Sequence, residues 1–338
     1  MSPLYEVSGV SLDLAAQGSG VLRLLPGPAP RMTILSGVSL ALGRGEMVGL
    51  VGESGSGKST LARAMMGLAA ITGGSLSFEG RPLRTAADFR AMRQQAALMF
   101  QDPAGSLSPR RKVAAQLIEP FRINGLPLPE GEKTVATMLE RVGLAASLAG
   151  RYPHELSGGQ ARRVCVARAL ALDPKLVIAD EPTAGLDVSV QAEILNLMTG
   201  LRRELGLTFL IITHNLAVVR HVTDRVAVLY LGRVVECGPT REVFARPLHP
   251  YTRSLIAAEP QADPRKRRPD LALKGEIPSV LARPGGCEFR TRCHAARPRC
   301  AAEEPIDRMI TPQRMVRCHF AEENMDTGGG HHGIALEH

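Results

Sequence analysis

The sequence has no tryptophan and only 4% aromatic residues. The stacked rings on which single-strand nucleic-acid binders hold bases are therefore not evident. It also lacks a run of about 18 uncharged apolar residues, the length a helix needs to span a bilayer. Glu6 and Asp13 stand where an export leader would be basic and then apolar. Both absences point to a cytosolic chain. Cysteine is sparse, with six residues, and in a reducing compartment these argue for metal binding or buried thiols over disulfides. Charge is not balanced: the net +8 allows non-specific attraction to nucleic acid or an acidic membrane surface and says nothing of fold. At 338 residues the chain can bury one large α/β domain and a smaller appendage, since domains run about 100 to 200 residues.

What the sequence does contain is organised around Gly52-Glu53-Ser54-Gly55-Ser56-Gly57-Lys58-Ser59-Thr60, which fits G-x-x-x-x-G-K-[ST]. It follows the apolar run 47–51 and precedes the helical pattern 61–66, so its context is strand, loop, helix. Glycines let backbone N–H groups turn inward around phosphate oxygens. The following helix presents its positive end, Lys58 reaches the terminal phosphates, and the Ser59 hydroxyl suits Mg²⁺. A nucleoside triphosphate cradle is the expectation.

Segments 4–14 and 37–42 alternate in apolar character and predict two half-buried strands, separated by a Gly/Pro-rich loop at 26–30. Another alternating strand follows Gly73-Gly74, and an apolar run at 96–100 ends on Gln101-Asp102-Pro103. Two helical patterns, 113–118 and 134–142, flank a Pro/Gly segment and predict a helical insert. Ser157 and Gln160 have capping-box spacing, which places Ser157 at a helix N-cap. With Gly158 and Gly159 leaving the first turn uncovered, that helix end is a second anion site. The buried-strand run 175–179 ends in Asp180-Glu181-Pro182, projecting two carboxylates toward the P-loop side of a parallel sheet. Asp180 suits Mg²⁺, and Glu181 is placed to polarise a water attacking the γ-phosphate. The next buried strand, 207–213, ends on His214, whose strand-tip position favours a γ-phosphate contact. Segments 225–231 and 233–237 flank Gly232 as a hairpin.

In that order the motifs resemble the ATP-binding cassette family, ATPase subunits that power transporters. The resemblance makes 52–59 the Walker A motif, Gln101 the Q-loop, Leu156 to Gln160 the signature, Asp180 and Glu181 Walker B, Ala184 to Asp187 the D-loop and His214 the switch histidine. It implies that two cassettes pair head to tail, the signature of one (Ser157, Gly158, Gly159, Gln160), with Asp187, meeting nucleotide held by the other. Arg151 to Leu156, Pro247 to Thr252 and Gly286 to Cys293 are similar to the oligopeptide/dipeptide importer ATPases. This implies two membrane permease subunits, a second and non-identical cassette ATPase, an external solute-binding protein, a peripheral place on the cytoplasmic face of the membrane, and no nucleic-acid partner. The rival is a soluble cassette ATPase acting on nucleic acid or ribosomes. Those generally join two cassettes or insert a long coiled coil, and the insert here lacks sustained heptads. Two departures stand out: 21–35 holds no aromatic residue for adenine and Tyr5 lies too early, and Asn215 follows His214 where the family usually has Asp, a change expected to be tolerated.

The expected fold is a P-loop α/β core with an antiparallel β subdomain, a helical subdomain at about 89–165 and a small Cys-bearing C-terminal extension: cassette 1–245, extension 246–320, and a disordered tail 321–338. Cys287, Cys293, Cys300 and Cys318 follow the basic run 265–268, itself read as a solvated linker. Four thiols gathered by loops suit one zinc ion or one iron–sulfur cluster, and spacing does not choose. Resemblance to importer ATPases with a similar tail implies a [4Fe–4S] cluster, with Zn²⁺ or plain thiols as the alternatives. Cys165 and Cys237 read as small buried hydrophobes.

Overall fold

A computed structural model describes residues 2–15, 31–100, 103–128, 131–259, 271, 273 and 275–323. Gln101, the loop 26–30 and the basic run 265–268 lie outside the described residues. The strands, in chain order, are β1 (Tyr5–Ala15), β2 (Arg31–Leu42), β3 (Met47–Val51), β4 (Gly73–Phe78), β5 (Arg81–Pro82), β6 (Ala96–Met99), β7 (Leu176–Asp180), β8 (Thr208–Ile212), β9 (Arg225–Tyr230), β10 (Arg233–Pro239), β11 (Arg308–Thr311) and β12 (Arg314–Val316). They form an antiparallel sheet in the order β2-β1-β4-β5 and a mixed sheet in the order β11-β12-β10-β9-β3-β8-β7-β6.

β3, β7 and β8 are buried at all five positions. They are central parallel strands covered on both faces, which is why they read as unbroken apolar runs and not as alternation. β2 begins at Arg31, six residues ahead of the alternation at 37–42; Met32, Thr33 and Ile34 are only partly buried and leave no clean two-residue period by which the sequence could show them as strand. One face of the mixed sheet packs with the small antiparallel sheet through Leu50, Ile178, Leu210, Leu12 and Leu40. The other face shares a core with the helical insert through Met99, Phe121, Leu139, Val164, Val177 and Phe209. The expected insert helices are Val113–Leu117 and Gly131–Arg141. Between them the Pro-bearing segment forms a further short helix, Glu119–Ile123, with Pro120 in the first turn, where a missing N–H costs nothing.

Parallel registry sets the site. Leu50 pairs with Ile212, and Asp180 pairs with Ile212 from the other side. The C-terminal ends of β3, β8 and β7 therefore lie side by side, knitted by Thr213 N–H to the Leu50 carbonyl at 3.2 Å and Glu181 N–H to the Ile212 carbonyl at 2.8 Å. The C-terminal extension is joined to this sheet. The β11–β12 hairpin adds to β10 through Glu236 opposite Val316 and Cys237 opposite Met315. Ala321 is fully buried beside Leu248 and Val316, so ordered packing reaches into the segment expected to be a tail.

Candidate nucleotide site

The loop after β3 is shaped by glycines where no other residue fits. Gly52 has φ 154°, and a Cβ there would stand 2.2 Å from the Leu229 carbonyl oxygen. Gly57, at φ 104°, is the N-cap of helix Lys58–Met65. Ser54 and Gly55 form the exposed tip, and Ser59 and Thr60 are half-buried in the first helical turn. Lys58 folds back into the loop, donating from Nζ to the carbonyls of Gly52 at 2.8 Å and Glu53 at 2.9 Å. Burial lowers its pKa, and the carboxylates of Glu181, Asp180 and Glu53 oppose that shift. Its ammonium stands at the mouth of the loop, a position from which it can reach a polyphosphate.

Asp180, the last residue of β7, is buried, and its Oδ1 has no hydrogen-bond partner among the described residues. Burial raises its pKa, the Ser59 hydroxyl pulls it down by hydrogen bonding, and Glu181 pushes it up. A buried, unmatched carboxylate oxygen next to a helix-borne hydroxyl is a donor set that fits Mg²⁺. The next residue, Glu181, holds a left-handed backbone at φ 50°, uncommon outside glycine and concentrated at functional sites. His214 Nδ1 lies 2.7 Å from Glu181 Oε1, with the carboxylate largely enclosed and the imidazole mostly exposed. Asn215 caps helix Leu216–Val222, its side chain accepting from Val218 N–H at 3.3 Å. An aspartate at this place could cap the helix with the same oxygen.

Ser157 is the N-cap of helix Gly158–Ala169, and the capping box is complete. Ser157 Oγ accepts from Gln160 N–H at 3.2 Å, and Gln160 Oε1 accepts from Ser157 N–H at 3.0 Å. Ser157 and Gly158 are exposed, which leaves this helix end facing outward. Asp187 has a local duty: it caps helix Val188–Leu205, accepting from Val190 N–H at 3.0 Å and the Ser189 hydroxyl at 2.6 Å. Those bonds hold its carboxyl below the usual range. Arg162, unremarked in the sequence, is buried in the signature helix and donates to the Ala184 carbonyl at 2.7 Å, tying the signature to the D-loop.

Cys287, Cys293, Cys300 and Cys318 line one enclosed cavity of about 30 Å³, together with His249 and Phe289. The structure brings the four together without making them a ligand set: among the described residues no three His, Cys, Asp or Glu side chains are placed to hold a metal ion. Burial pushes the Cys287 thiol up to about 12 and the Cys293 thiol up to about 11. As placed, the four side chains are not the ligand set that the metal or [4Fe–4S] expectation requires. Cys165 and Cys237 are buried, as their helix and strand contexts predicted.

Tyr5 is fully buried and its hydroxyl donates to the Met65 carbonyl at 2.6 Å, so it cannot stack on a base. Sequence reasoning missed two residues that touch the phosphate loop from the far end of the chain, Tyr251 and Arg292, both reaching Glu53. The available signal was Glu53 itself, an acid in an anion-binding loop, which needs a partner. Among the described residues no helix is long and apolar enough to cross a membrane.

A family model described as "ABC transporter" matches residues 35–184, and one described as "Oligopeptide/dipeptide transporter, C-terminal region" matches 235–300. The chain is 46% identical over 292 residues to the di/tripeptide transport ATP-binding protein DppF of Pseudomonas aeruginosa, covering 86% of this chain and 90% of that protein. It is 46% identical over 285 residues to the oligopeptide transport ATP-binding protein OppF of Escherichia coli, covering 82% of this chain and 85% of that one. Among solved structures, the ATP-binding cassette MJ0796, a dimer in a post-hydrolysis state bound to ADP and phosphate, superposes with TM-score 0.60 at 28% identity, covering 70% of this chain and 99% of that one. Identity of this extent, sustained along nearly the whole of curated relatives, decides the matter: the chain belongs to the ATP-binding subunits of ABC transporters, in the group with the oligopeptide/dipeptide C-terminal region, and is an ATPase.

Proposed function

We propose that this chain hydrolyses ATP to drive uptake of peptides or related small solutes through separate permease subunits. The observation that carries the reading is the convergence of the Lys58 loop, Asp180 and the Glu181–His214 pair at adjacent ends of β3, β7 and β8. Phosphates lie against Gly52, Ser54, Gly55, Gly57, Lys58 and Thr60. Asp180, Ser59 and Gln101 would hold Mg²⁺, which would offset charge on the β- and γ-phosphates. Glu181 accepts a proton from the attacking water, the bond from the γ-phosphorus to the bridging oxygen breaks, and ADP and phosphate are the products. His214, at 2.7 Å from Glu181, orients that carboxylate and steadies the γ-phosphate.

The exposed Ser157–Gln160 helix end supports a second cassette closing over the nucleotide, with Asp187 at the seam. We read that second cassette as a non-identical ATPase, working with two permeases and an external solute-binding protein at the cytoplasmic face of the membrane. The cassette then spans 1–245, with its helical subdomain at about 89–165, and the extension 246–320. Peptide cargo is supported by the likeness to a di/tripeptide and an oligopeptide transport ATP-binding protein. Glu181→Gln tests the chemistry: hydrolysis falls about 10² to 10⁴-fold, the usual contribution of a general base, with nucleotide affinity kept. Equal loss of affinity refutes the assignment. Purification from native membranes in mild detergent tests the assembly. Two permeases and a second cassette are expected, and ribosomes or DNA-associated proteins in their place overturn it.

For the four thiols of the extension the reading is a structural [4Fe–4S] cluster, with Zn²⁺ as the alternative. Their sharing one cavity supports it, and assembly requires them to shift into a ligand set. Iron and acid-labile sulfide assays on anaerobically purified protein decide, and protein lacking both rejects the cluster.

A further inference from the structure

A phosphate loop has to receive several negative charges, yet this one carries an acid. Glu53 follows the first glycine of the motif, and its field is felt at Lys58. A free carboxylate there opposes nucleotide binding by like-charge repulsion, in a half-buried setting that screens poorly. The chain answers from a site 239 residues away. Arg292, between Cys287 and Cys293, donates Nη1 to Glu53 Oε2 at 2.7 Å and Nη2 to Glu53 Oε1 at 2.9 Å, a bidentate pair. The guanidinium side chain is 4% exposed and the carboxylate 23% exposed. Behind it stands a wall of rings. The Arg292 guanidinium lies 5.9 Å from the Tyr230 ring centre, and Tyr230 packs on Tyr251 and Phe289 at 4.6 and 5.3 Å. Tyr251 takes the loop's backbone too, its hydroxyl accepting from Glu53 N–H at 2.9 Å.

We propose that Arg292 is a positioning residue for nucleotide binding: it neutralises Glu53 and keeps its carboxylate turned into the extension, so that the loop meets ATP without a like charge. This rests on the phosphate-site assignment of 52–60 made above. A bond that only fastened the extension to the cassette would make Glu53 and Arg292 equally necessary. A charge mask makes them unequal, because Arg292 is needed only while Glu53 is charged.

The test titrates the purified full-length chain with a non-hydrolysable ATP analogue and Mg²⁺, by calorimetry, alongside thermal melts. Arg292→Ala weakens binding about tenfold, the change that about 1.4 kcal/mol makes. Glu53→Gln alone binds at least as tightly as the parent, and the double variant Arg292→Ala/Glu53→Gln recovers most of the lost affinity. Arg292→Gln, which keeps more of the buried volume, carries the same expectation should the alanine variant not fold. Unchanged affinity in both Arg292 variants, or a double variant as weak as the single, overturns the proposal. Lys58→Ala separates the layers. If it binds like the parent, the phosphate-site assignment itself fails; if it abolishes binding while the Arg292 variants do not weaken it, only the proposal fails.

Discussion

Glu236→Ala should release the C-terminal extension from the cassette, and the structure says by how much. Glu236 is fully buried on β10 and takes three donors: Leu248 N–H at 3.0 Å, His249 N–H at 2.9 Å and Arg314 Nη2 at 2.6 Å. Arg314, on β12, is itself only 6% exposed at its side chain. Truncating Glu236 strands a buried guanidinium, which costs about 3–5 kcal/mol, and two amide donors, at about 1–3 kcal/mol each if left unmatched. The contributions do not add, and Arg314 keeps the carbonyls of Glu242 and Arg246. About 4 kcal/mol is therefore expected, or a fall in Tm of roughly 8 °C or more at the 2–4 °C per kcal/mol of larger domains. Leu248 and His249 lead into helix Pro250–Ala257, which carries Tyr251, so nucleotide affinity should fall with stability. Circular dichroism melts and nucleotide titration on the same samples read both. The double substitution Glu236→Leu/Arg314→Met removes both charges and should recover only the part of the Tm lost to the stranded guanidinium, because the amides of Leu248 and His249 still lack their acceptor. A loss below about 2 °C in Glu236→Ala refutes the reasoning, because no buried group so bonded can be removed that cheaply.

Gly52→Ala should abolish nucleotide binding and lower Tm by several degrees, because its Cβ would stand 2.2 Å from the Leu229 carbonyl oxygen and the loop or β9 has to move; parent-like binding in a titration would count against that loop shape. His249 supplies a pH signal: burial pushes its pKa down to about 3 from 6.5, so the folded state holds it neutral while the unfolded chain protonates. Its contribution to stability is complete above pH 6.5 and is lost as pH falls toward about 3. His249→Asn, which can still accept from Tyr251 N–H, should flatten the Tm profile across that window; an unaltered slope would assign the acid sensitivity to other groups.

The cassette was legible because its chemistry is written on consecutive residues at strand ends. The run 175–179 followed by Asp180-Glu181 predicts both a strand and what leaves its tip, and β7 ends where that reading places it. Conformation at those tips was not legible: nothing in the composition shows Glu181 at φ 50°. Asp187 came from family resemblance, while its capping of helix Val188–Leu205 follows from local hydrogen bonding any aspartate before a helix can make. The union of the extension with the core sheet was hidden for a different reason. β11 and β12 are four and three residues long, Met309 is 62% exposed, and two paired positions join β12 to β10. Such a strand has too little buried face to impose a period of two, and it is held by Glu236 and Arg314, 78 residues apart in sequence.

The same long-range connections bear on how the phosphate loop works. Lys58 spends its ammonium on the carbonyls of Gly52 and Glu53, so a polyphosphate has to draw it out of those bonds. The path of the loop is fixed by other means. Gly52 sits against the Leu229 carbonyl, and Glu53 is held at its amide by Tyr251, while Arg292 takes up its charge. What nucleotide arrival must change is therefore the partners of the lysine and not the course of the backbone. The entropy of ordering the loop is spent on folding rather than on binding, which favours affinity. Because the tyrosine that holds its backbone and the arginine that answers its charge lie 199 and 240 positions downstream of Gly52, the extension is part of the nucleotide site's framework and not an appendage beside it.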